Sequence, residues 1–282
     1  MSCLTIVLLS VRRRRKANSI MKIRTLKQIL VEENESMFVF DNVVIGRDFL
    51  HKGQSWVISG ASGIGKSVLA MQIAVGFALG EKILGLDIFK PSKTLLFNAE
   101  NPTADIRAYF NGVVSNFTRN SGSDIDKLLD DNFHYADVTN CYYSVDEFIS
   151  KLETSLCVGN YDVVIVDSLL PLVRCDFSEH SAIANLFCKI NVLKSKYNFA
   201  MVLIHHFDKP NFRTKNLHPT QWCMGGKTIG IYANIMSAIL EMNGESIFAF
   251  RHYRPSLDTE LPSAYIRHNL SGNYSWEAVK DV

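Results

Sequence analysis

The sequence has little that would mark a secreted, metal-binding or membrane-spanning chain. Its six cysteines are scattered and include no Cys-x-x-Cys pair, so neither a zinc site nor a disulfide framework is indicated. The apolar run Leu4–Leu9 is far shorter than the ~20 residues that span a bilayer. A basic cluster follows this run, whereas the basic cluster of a signal peptide precedes its apolar segment. We therefore expect a cytoplasmic protein without membrane contact.

Charge of one sign is also lacking, except in one short segment. The formal net charge is +2, but residues 12–16 supply five cations and residues 1–20 contain no acid. Without these five, 25 basic residues face 28 acidic ones, a net charge of −3. Nucleic acid, if bound, must then be held by local loops and not by a global positive field. Residues 1–20 are either a basic arm or an extension upstream of a native start at Met21, and we expect 21–282 to form one domain.

The pattern of apolar residues predicts an α/β fold. Hydrophobic residues make up 47% of the chain and charged residues 21%, which excludes a disordered, collagen-like or coiled-coil protein. Near-continuous apolar runs predict strands covered on both faces of a parallel sheet: Ser55–Ser59, Thr94–Ala99, Asp162–Asp167 and Ala200–His205. Helix-like segments alternate with them: Lys66–Leu79, Thr103–Phe117, Ser144–Leu156 and Ser181–Tyr197. This alternation predicts a central, mostly parallel sheet flanked by helices.

The remaining segments are less regular. Further strands are predicted over Met37–Val44, Ile235–Met242, Ser246–Arg251 and Ser263–Arg267, the middle two forming a β-hairpin around Asn243 and Gly244. The polar stretch Thr118–Asp131 predicts a surface loop with at most a short helical turn. From Phe207 to Met224 the chain lacks periodicity, and a loop of that length in a compact domain is usually functional or disordered.

A glycine-rich segment directly after the first apolar run matches the P-loop pattern G-x-x-x-x-G-K-S/T at every fixed position. Its glycines let successive backbone N–H groups point at phosphate oxygens, and the helix that follows adds its N-terminal dipole. We expect Lys66 to reach the β and γ phosphates and the Ser67 hydroxyl to ligate Mg²⁺. The segment therefore predicts binding of ATP by the residues Gly60, Ala61, Ser62, Gly63, Ile64, Gly65, Lys66 and Ser67.

Acidic residues at the ends of two other apolar runs supply the remaining chemistry of an NTPase. Asp167 ends the run Asp162–Asp167 as a Walker B aspartate does, so we assign it to the metal. Position 168 is Ser, which argues against ATPases that place their catalytic glutamate directly after this aspartate. Glu100 instead follows a different buried strand, the place where RecA-type ATPases carry the glutamate that activates water. We predict that Glu100 is the general base or water-orienting residue.

Paired histidines end the fourth apolar run and precede the long loop. A polar group at this strand end could contact the γ phosphate and transmit its presence to the following loop. We predict that His206 is this sensor.

Together these segments resemble the RepA-like, hexameric, RecA-fold ATPases of plasmids and phages, relatives of the DnaB-type replicative helicases and AAA ATPases in the broad sense. The resemblance covers about residues 40–254 and rests on Gly60–Ser67, Phe97–Pro102, Val164–Leu169 and Leu203–Lys209. It implies a ring, a hexamer in this family, with ATP sites at subunit boundaries and single-stranded DNA in the central channel. Replication initiator or primase proteins are the partners that such a ring would have.

One departure concerns the cation that completes a shared site. RepA-like proteins carry an Arg-Gly-Ser-type motif after the long loop, but the corresponding stretch Cys223–Thr228 has no arginine. A cationic finger, which can contribute several powers of ten to turnover, must then come from Lys227, Arg251 or Arg254. The last two lie in a segment that resembles the Lys/Arg-x-x-Arg strand near the shared site of DnaB-like helicases.

The long loop also carries cations and aromatic residues, the combination that single-strand binding sites use. We predict that Lys209, Arg213, Lys215 and Trp222 contact single-stranded DNA. The sequence leaves two classes of function open: a DNA-translocating motor of helicase type, and a RecA-fold regulatory or assembly ATPase whose ATP state switches a protein interface. A metabolic kinase is a distant third, since no acceptor-site signature is present.

Overall fold

Thirteen strands account for the β structure of this computed structural model, which describes residues 42–117, 124–207, 218–242, 247–269 and 275–279. In chain order they are β1 (Val43–Ile45), β2 (Leu50–His51), β3 (Ser55–Gly60), β4 (Thr94–Asn98), β5 (Phe133–Asp137), β6 (Tyr143–Ser144), β7 (Val163–Asp167), β8 (Val173–Arg174), β9 (Ala200–His206), β10 (Ile235–Glu241), β11 (Ile247–Arg254), β12 (Thr259–Asn269) and β13 (Ser275–Val279).

Seven α-helices lie between these strands in the described ranges. They are α1 (Lys66–Leu79), α2 (Thr103–Phe117), α3 (Ile125–Asn132), α4 (Val145–Gly159), α5 (Leu169–Leu172), α6 (His180–Tyr197) and α7 (Gly226–Tyr232). Short 3₁₀ turns occupy Pro219–Gln221 and Pro255–Leu257. None of the described helices has both the length and the apolar character needed to cross a bilayer.

Nine strands form one sheet, in the order β13-β12-β11-β10-β3-β9-β7-β4-β5. The strands from β10 to β5 in this order are parallel, and β10 to β13 continue the sheet as an antiparallel meander. The predicted α/β architecture with a carboxy-terminal hairpin is confirmed. The turn predicted around Asn243 and Gly244 lies outside the described residues, as do residues 37–41 of the predicted first strand.

Both faces of the parallel half are covered, as the continuous apolar runs predict. On one face α1, α2 and α3 pack against the sheet, with α1 buried along almost its whole length. Helices α4, α6 and α7 contribute the core on the other face. The sheet is therefore the middle layer, and the segments that leave its strand ends form the surface where chemistry can occur.

The polar stretch after α2 is more ordered than predicted. Its second half forms α3, whose first turn is capped by the Asp124 carboxylate accepting a hydrogen bond from the Lys127 backbone N–H at 3.2 Å. Ile125 and Leu129, four residues apart, are buried against α1. The acidic residues concealed this short apolar face, so the prediction of a surface loop was wrong for Ile125–Asn132. Residues 118–123 lie outside the described ranges.

A buried lysine lies at the amino-terminal end of the sheet, away from the strand ends described below. Lys194 in α6 is 4% exposed, and its Nζ donates a hydrogen bond to the Ser55 hydroxyl at 2.7 Å. No acidic side chain in the described part of the chain pairs with it. Burial lowers the pKa of Lys194 to about 8.

Replacing Lys194 with Met should change how stability depends on pH. The folded pKa of Lys194 lies below its ordinary value of 10.5, so the unfolded chain binds more protons between about pH 8 and pH 10.5. Over this window the free energy of unfolding of the wild type should rise relative to Lys194→Met, by on the order of 3 kcal/mol. Urea unfolding of both proteins at several pH values measures the difference. A difference that stays constant with pH would contradict a buried, unpaired ammonium.

Candidate active site

The carboxyl ends of four neighbouring strands bring the predicted catalytic residues together. In the parallel pairing of β3 with β9, Gly60 lies opposite His206. Between β4 and β7, Asn98 lies opposite Asp167. The P-loop, the Walker B aspartate, the residue following β4 and the second histidine therefore meet at one edge of the sheet, although they are far apart in the sequence.

The P-loop joins β3 to α1 and closes on its own lysine. Gly65 has a φ of 99°, a left-handed conformation that favours glycine, and it serves as the N-cap of α1. Lys66 is 6% exposed, and its Nζ donates hydrogen bonds to the carbonyl oxygens of Gly60 at 3.1 Å and Ala61 at 2.8 Å. Burial lowers the pKa of Lys66, opposed by the nearby carboxylates of Glu100 and Asp167. Phosphate oxygens are stronger acceptors for this ammonium than the two carbonyls.

Asp167 provides an oxygen suited to a cation. It is 3% exposed, and its Oδ1 is buried without a hydrogen-bond partner. Burial raises the pKa of Asp167 to about 6; a hydrogen bond from Ser67 opposes the rise, and the Glu100 carboxylate adds to it. A cation bound here would favour the charged carboxylate. The side-chain N–H₂ of Asn101 also donates to the Ser67 hydroxyl at 3.0 Å, so Asn101 fixes this hydroxyl beside Asp167.

The donor set fits Mg²⁺ held jointly with phosphates. Mg²⁺ prefers oxygen ligands and is usually bound through one or two protein groups plus substrate phosphates. Asp167 Oδ1 and the Ser67 hydroxyl are two such oxygens. Among the described residues no cluster of three or more His, Cys, Asp or Glu side chains could hold a metal ion by itself. A cation at this place therefore needs phosphate oxygens as further ligands.

Glu100 lies at the centre of a hydrogen-bonded group drawn from three strands. Its Oε1 accepts hydrogen bonds from the Ser168 hydroxyl at 2.8 Å and from His206 Nε2 at 2.9 Å. The hydrogen bond from His206 is the main cause that lowers the pKa of Glu100. Ser168 follows β7 and is fully buried. The Glu100 side chain remains 32% exposed, so the carboxylate is both held in place and open to solvent.

The two histidines at the end of β9 have separate roles. His205 is 1% exposed, packs its ring 4.9 Å from that of Phe177 and donates from Nε2 to the Met224 carbonyl oxygen at 3.0 Å. Burial lowers the pKa of His205 to about 4, so its ring is neutral. The Met224 backbone N–H in turn donates to the carbonyl oxygen of His206 at 3.2 Å. The end of the long loop is thus attached to the strand that presents His206 to Glu100.

The three candidate fingers differ in their surroundings. Arg251 forms an ion pair with Glu260, and its guanidinium lies 5.6 Å from the centre of the Trp222 ring. Arg254 donates hydrogen bonds to the backbone carbonyl oxygens of Asp48 and Phe49. Both arginines are therefore engaged within their own chain. Lys227, in the first turn of α7, is exposed and has no hydrogen-bond or ion-pair partner among the described residues.

One predicted DNA contact conflicts with the structure. Trp222 is 1% exposed and packs against Ala238 and Tyr253, with Arg251 over its ring. A base can stack only on an open ring face, so Trp222 is a core residue in this conformation and the prediction that it stacks on DNA is contradicted. The other predicted DNA contacts, Lys209, Arg213 and Lys215, lie outside the described residues.

Asn101 and Ser168 are the site residues that sequence reasoning missed. Each directly follows a residue that was assigned: Asn101 comes after Glu100, and Ser168 comes after Asp167. A polar residue next to a catalytic one at a strand end was the available signal. Their partners lie on other strands, so the sequence alone could not reveal what they contact.

Comparisons with known proteins agree with this geometry. No curated protein sequence matches the chain. The solved ATPase domain of a DnaB-like helicase is similar in structure, with a TM-score of 0.61 and 13% sequence identity, covering 90% of this chain and 99% of that chain. This similarity confirms the RecA-like fold that the motifs indicate. A model of the AAA domain matches residues 32–211, which is more than half of the sequence, and the chain therefore belongs to the AAA domain family.

Proposed function

We propose that the chain is an ATP-hydrolysing RecA-fold motor that acts on single-stranded DNA, a replicative-type helicase of a plasmid, phage or other mobile element. The observation that carries the proposal is the meeting of Lys66, Asp167, Glu100 and His206 at one sheet edge. These groups supply a phosphate cation, a metal ligand, a base and a γ-phosphate contact, the parts that NTP hydrolysis requires.

Hydrolysis would proceed by in-line attack of water on the γ phosphorus. Lys66 exchanges the carbonyl oxygens of Gly60 and Ala61 for phosphate oxygens and holds the β and γ phosphates. Glu100 orients the attacking water and takes its proton while the bond from the γ phosphorus to the β–γ bridging oxygen breaks. Mg²⁺ bound with the phosphates neutralises charge that develops on the leaving ADP.

The hydrogen bond between His206 and Glu100 gives the site a response to the γ phosphate. His206 Nε2 can donate to a phosphate oxygen only by weakening its 2.9 Å bond to Glu100. Losing that bond removes the main cause that lowers the pKa of Glu100, so the carboxylate becomes a better base. The same movement acts on Met224 through the backbone of β9. Nucleotide state would then reach the long loop that carries the DNA-binding cations.

A ring would complete each site with a cation from the next subunit. Lys227 is the best candidate, since it is exposed and unpaired among the described residues, whereas Arg251 and Arg254 are engaged in their own chain. Single-stranded DNA would bind the cations of the long loop in the ring's channel.

One observation favours the alternative class, a regulatory or assembly ATPase without DNA unwinding. Burial of Trp222 removes the main aromatic face that the sequence offered to a base. Binding of single-stranded DNA would then rest on Lys209, Arg213 and Lys215 alone, and the experiments below distinguish the two classes.

Asp167→Asn should uncouple nucleotide binding from magnesium. The amide keeps the size of the side chain but lacks the negative charge that attracts a divalent cation, so the gain in ATP affinity on adding Mg²⁺ should fall by roughly 10-fold or more. Calorimetric titration with ATP, with Mg²⁺ or with a chelator, measures this gain. Asp162→Asn is the control, because Asp162 precedes the same strand and contacts Lys52 at 2.5 Å. An unchanged magnesium dependence in Asp167→Asn would exclude Asp167 as the metal ligand.

Glu100→Gln should separate binding from turnover. The amide cannot accept the proton of water, so we expect turnover to fall by roughly 100-fold or more while ATP still binds. Steady-state phosphate release and equilibrium ATP binding provide the two readouts. Glu153→Gln, on the surface of α4 next to Lys196, should behave as the wild type. Near-normal turnover in Glu100→Gln would refute the assignment of the base.

The affinity for single-stranded DNA should depend on salt through the long loop. Each phosphate contact contributes about −0.7 to the slope of log affinity against log salt, so three contacts predict about −2. Replacing Lys209, Arg213 and Lys215 together with Ala should flatten the slope and reduce DNA stimulation of ATP turnover, leaving basal turnover unchanged. A variant with Ala at residues 12–16 controls for the basic arm. If this control protein has no measurable affinity at low salt with ATP bound, the regulatory ATPase is the better assignment.

A further inference from the structure

The last strand of the sheet is attached to the start of the P-loop helix. Trp276 in β13 is 1% exposed, and its ring N–H donates a hydrogen bond to the Gly65 carbonyl oxygen at 3.1 Å. The Gln72 side chain, one and a half turns into α1, donates to the Trp276 carbonyl oxygen at 2.9 Å and accepts from the Trp276 N–H at 2.8 Å. Three hydrogen bonds therefore hold β13 against the P-loop, although about 200 residues separate the two segments.

A histidine on the neighbouring strand occupies the space beside Gly65. His268 pairs with Trp276 in the register of β12 and β13, and the two rings meet edge to face with centres 5.0 Å apart. A Cβ atom on Gly65 would lie 3.4 Å from His268 Nε2 and 3.0 Å from the Trp276 ring. The site thus requires glycine at position 65 for a second reason, the close approach of these rings.

The Nε2 atom of His268 has no partner among the described residues. It is buried without a hydrogen bond, whereas the great majority of buried polar atoms in proteins are hydrogen-bonded. Burial also lowers the pKa of His268, so the imidazole is neutral at neutral pH. A neutral ring nitrogen suits an uncharged polar group better than a phosphate, which would favour a cation.

The order of strands indicates which part of a nucleotide this nitrogen could meet. Glu100, Asp167 and His206 lie at the ends of β4, β7 and β9, which are all on one side of β3. Strands β12 and β13 lie on the other side of β3, so His268 approaches the P-loop from the side opposite the hydrolytic groups. A nucleotide whose γ phosphate is at Glu100 and whose phosphates follow the P-loop would extend its nucleoside toward that opposite side.

We propose that His268 is a nucleoside-binding residue, which hydrogen-bonds through Nε2 to an uncharged polar atom of the sugar or base. The assignment rests on the ATP site of the proposed function. Trp276 and Gln72 hold the ring beside the loop. In the observed conformation Lys66 binds the loop's own carbonyl oxygens and Nε2 is covered. Phosphates that draw Lys66 away from these carbonyls would move the loop and give the nucleoside access to the ring.

Two ligands distinguish a nucleoside contact from support of the loop. The full chain is titrated calorimetrically with ATP and with inorganic triphosphate, both with Mg²⁺. His268→Phe keeps an aromatic ring without nitrogen, and we expect its ATP dissociation constant to rise about 3- to 10-fold, the loss of one neutral hydrogen bond. Its affinity for inorganic triphosphate should not change. His268→Gln, whose side-chain nitrogen can reach the same place, should retain most of the ATP affinity.

Tyr265→Phe serves as the matched control, since Tyr265 is on the same strand and 40% exposed. Equal losses for ATP and triphosphate in His268→Phe would mean that the ring only supports the P-loop, and would overturn the proposal. An unchanged ATP affinity in His268→Phe, or an equal loss in His268→Gln, would also overturn it. If the wild type binds neither ligand, the ATP site itself fails, a result that no His268 variant is needed to recognise.

Discussion

The parallel register of β3, β9, β7 and β4 is the constraint on which the rest of the site depends. It sets Gly60 opposite His206 and Asn98 opposite Asp167, so that residues from four distant segments meet at one edge. A slip of one residue in any of these strands would turn its last side chain to the other face of the sheet. Burial of both faces fixes the register, because each strand is apolar along almost its whole length.

Within this frame, hydrogen bonds connect the catalytic carboxylate to distant parts of the chain. His206 contacts Glu100 through its ring and Met224 through its backbone, while His205 holds the Met224 carbonyl from the other side. A shift of β9 at the γ phosphate therefore moves the end of the long loop. On the opposite side of β3, Trp276 links the last strand to the P-loop. Both connections end in segments that follow the catalytic motifs in sequence, which gives the carboxy-terminal third of the chain a mechanical connection to the nucleotide site.

Much of this arrangement could be predicted from the sequence where the local signal is strong. The bounds predicted for Lys66–Leu79 and Thr103–Phe117 agree with α1 and α2, because a glycine-rich turn or a proline marks each start. Edge strands β5 and β13 were missed, since their mixed polar and apolar residues lack a continuous apolar run. The burial of Trp222 could not be predicted either, because it depends on β10 and β11, whose packing against it the sequence does not reveal. Residues 1–41 lie outside the described ranges, so the domain bounds stay a prediction.

A crystal structure of the protein with Mg²⁺ and a non-hydrolysable ATP analogue is the most direct measurement. We expect Lys66 Nζ to leave the carbonyl oxygens of Gly60 and Ala61 for the β and γ phosphates. Asp167 Oδ1 should face the metal ion, and His206 Nε2 should move from Glu100 to the γ phosphate. A bound analogue whose γ phosphate is distant from Glu100, or an intact hydrogen bond between His206 and Glu100 beside it, would contradict the assignment of these residues to one hydrolytic site.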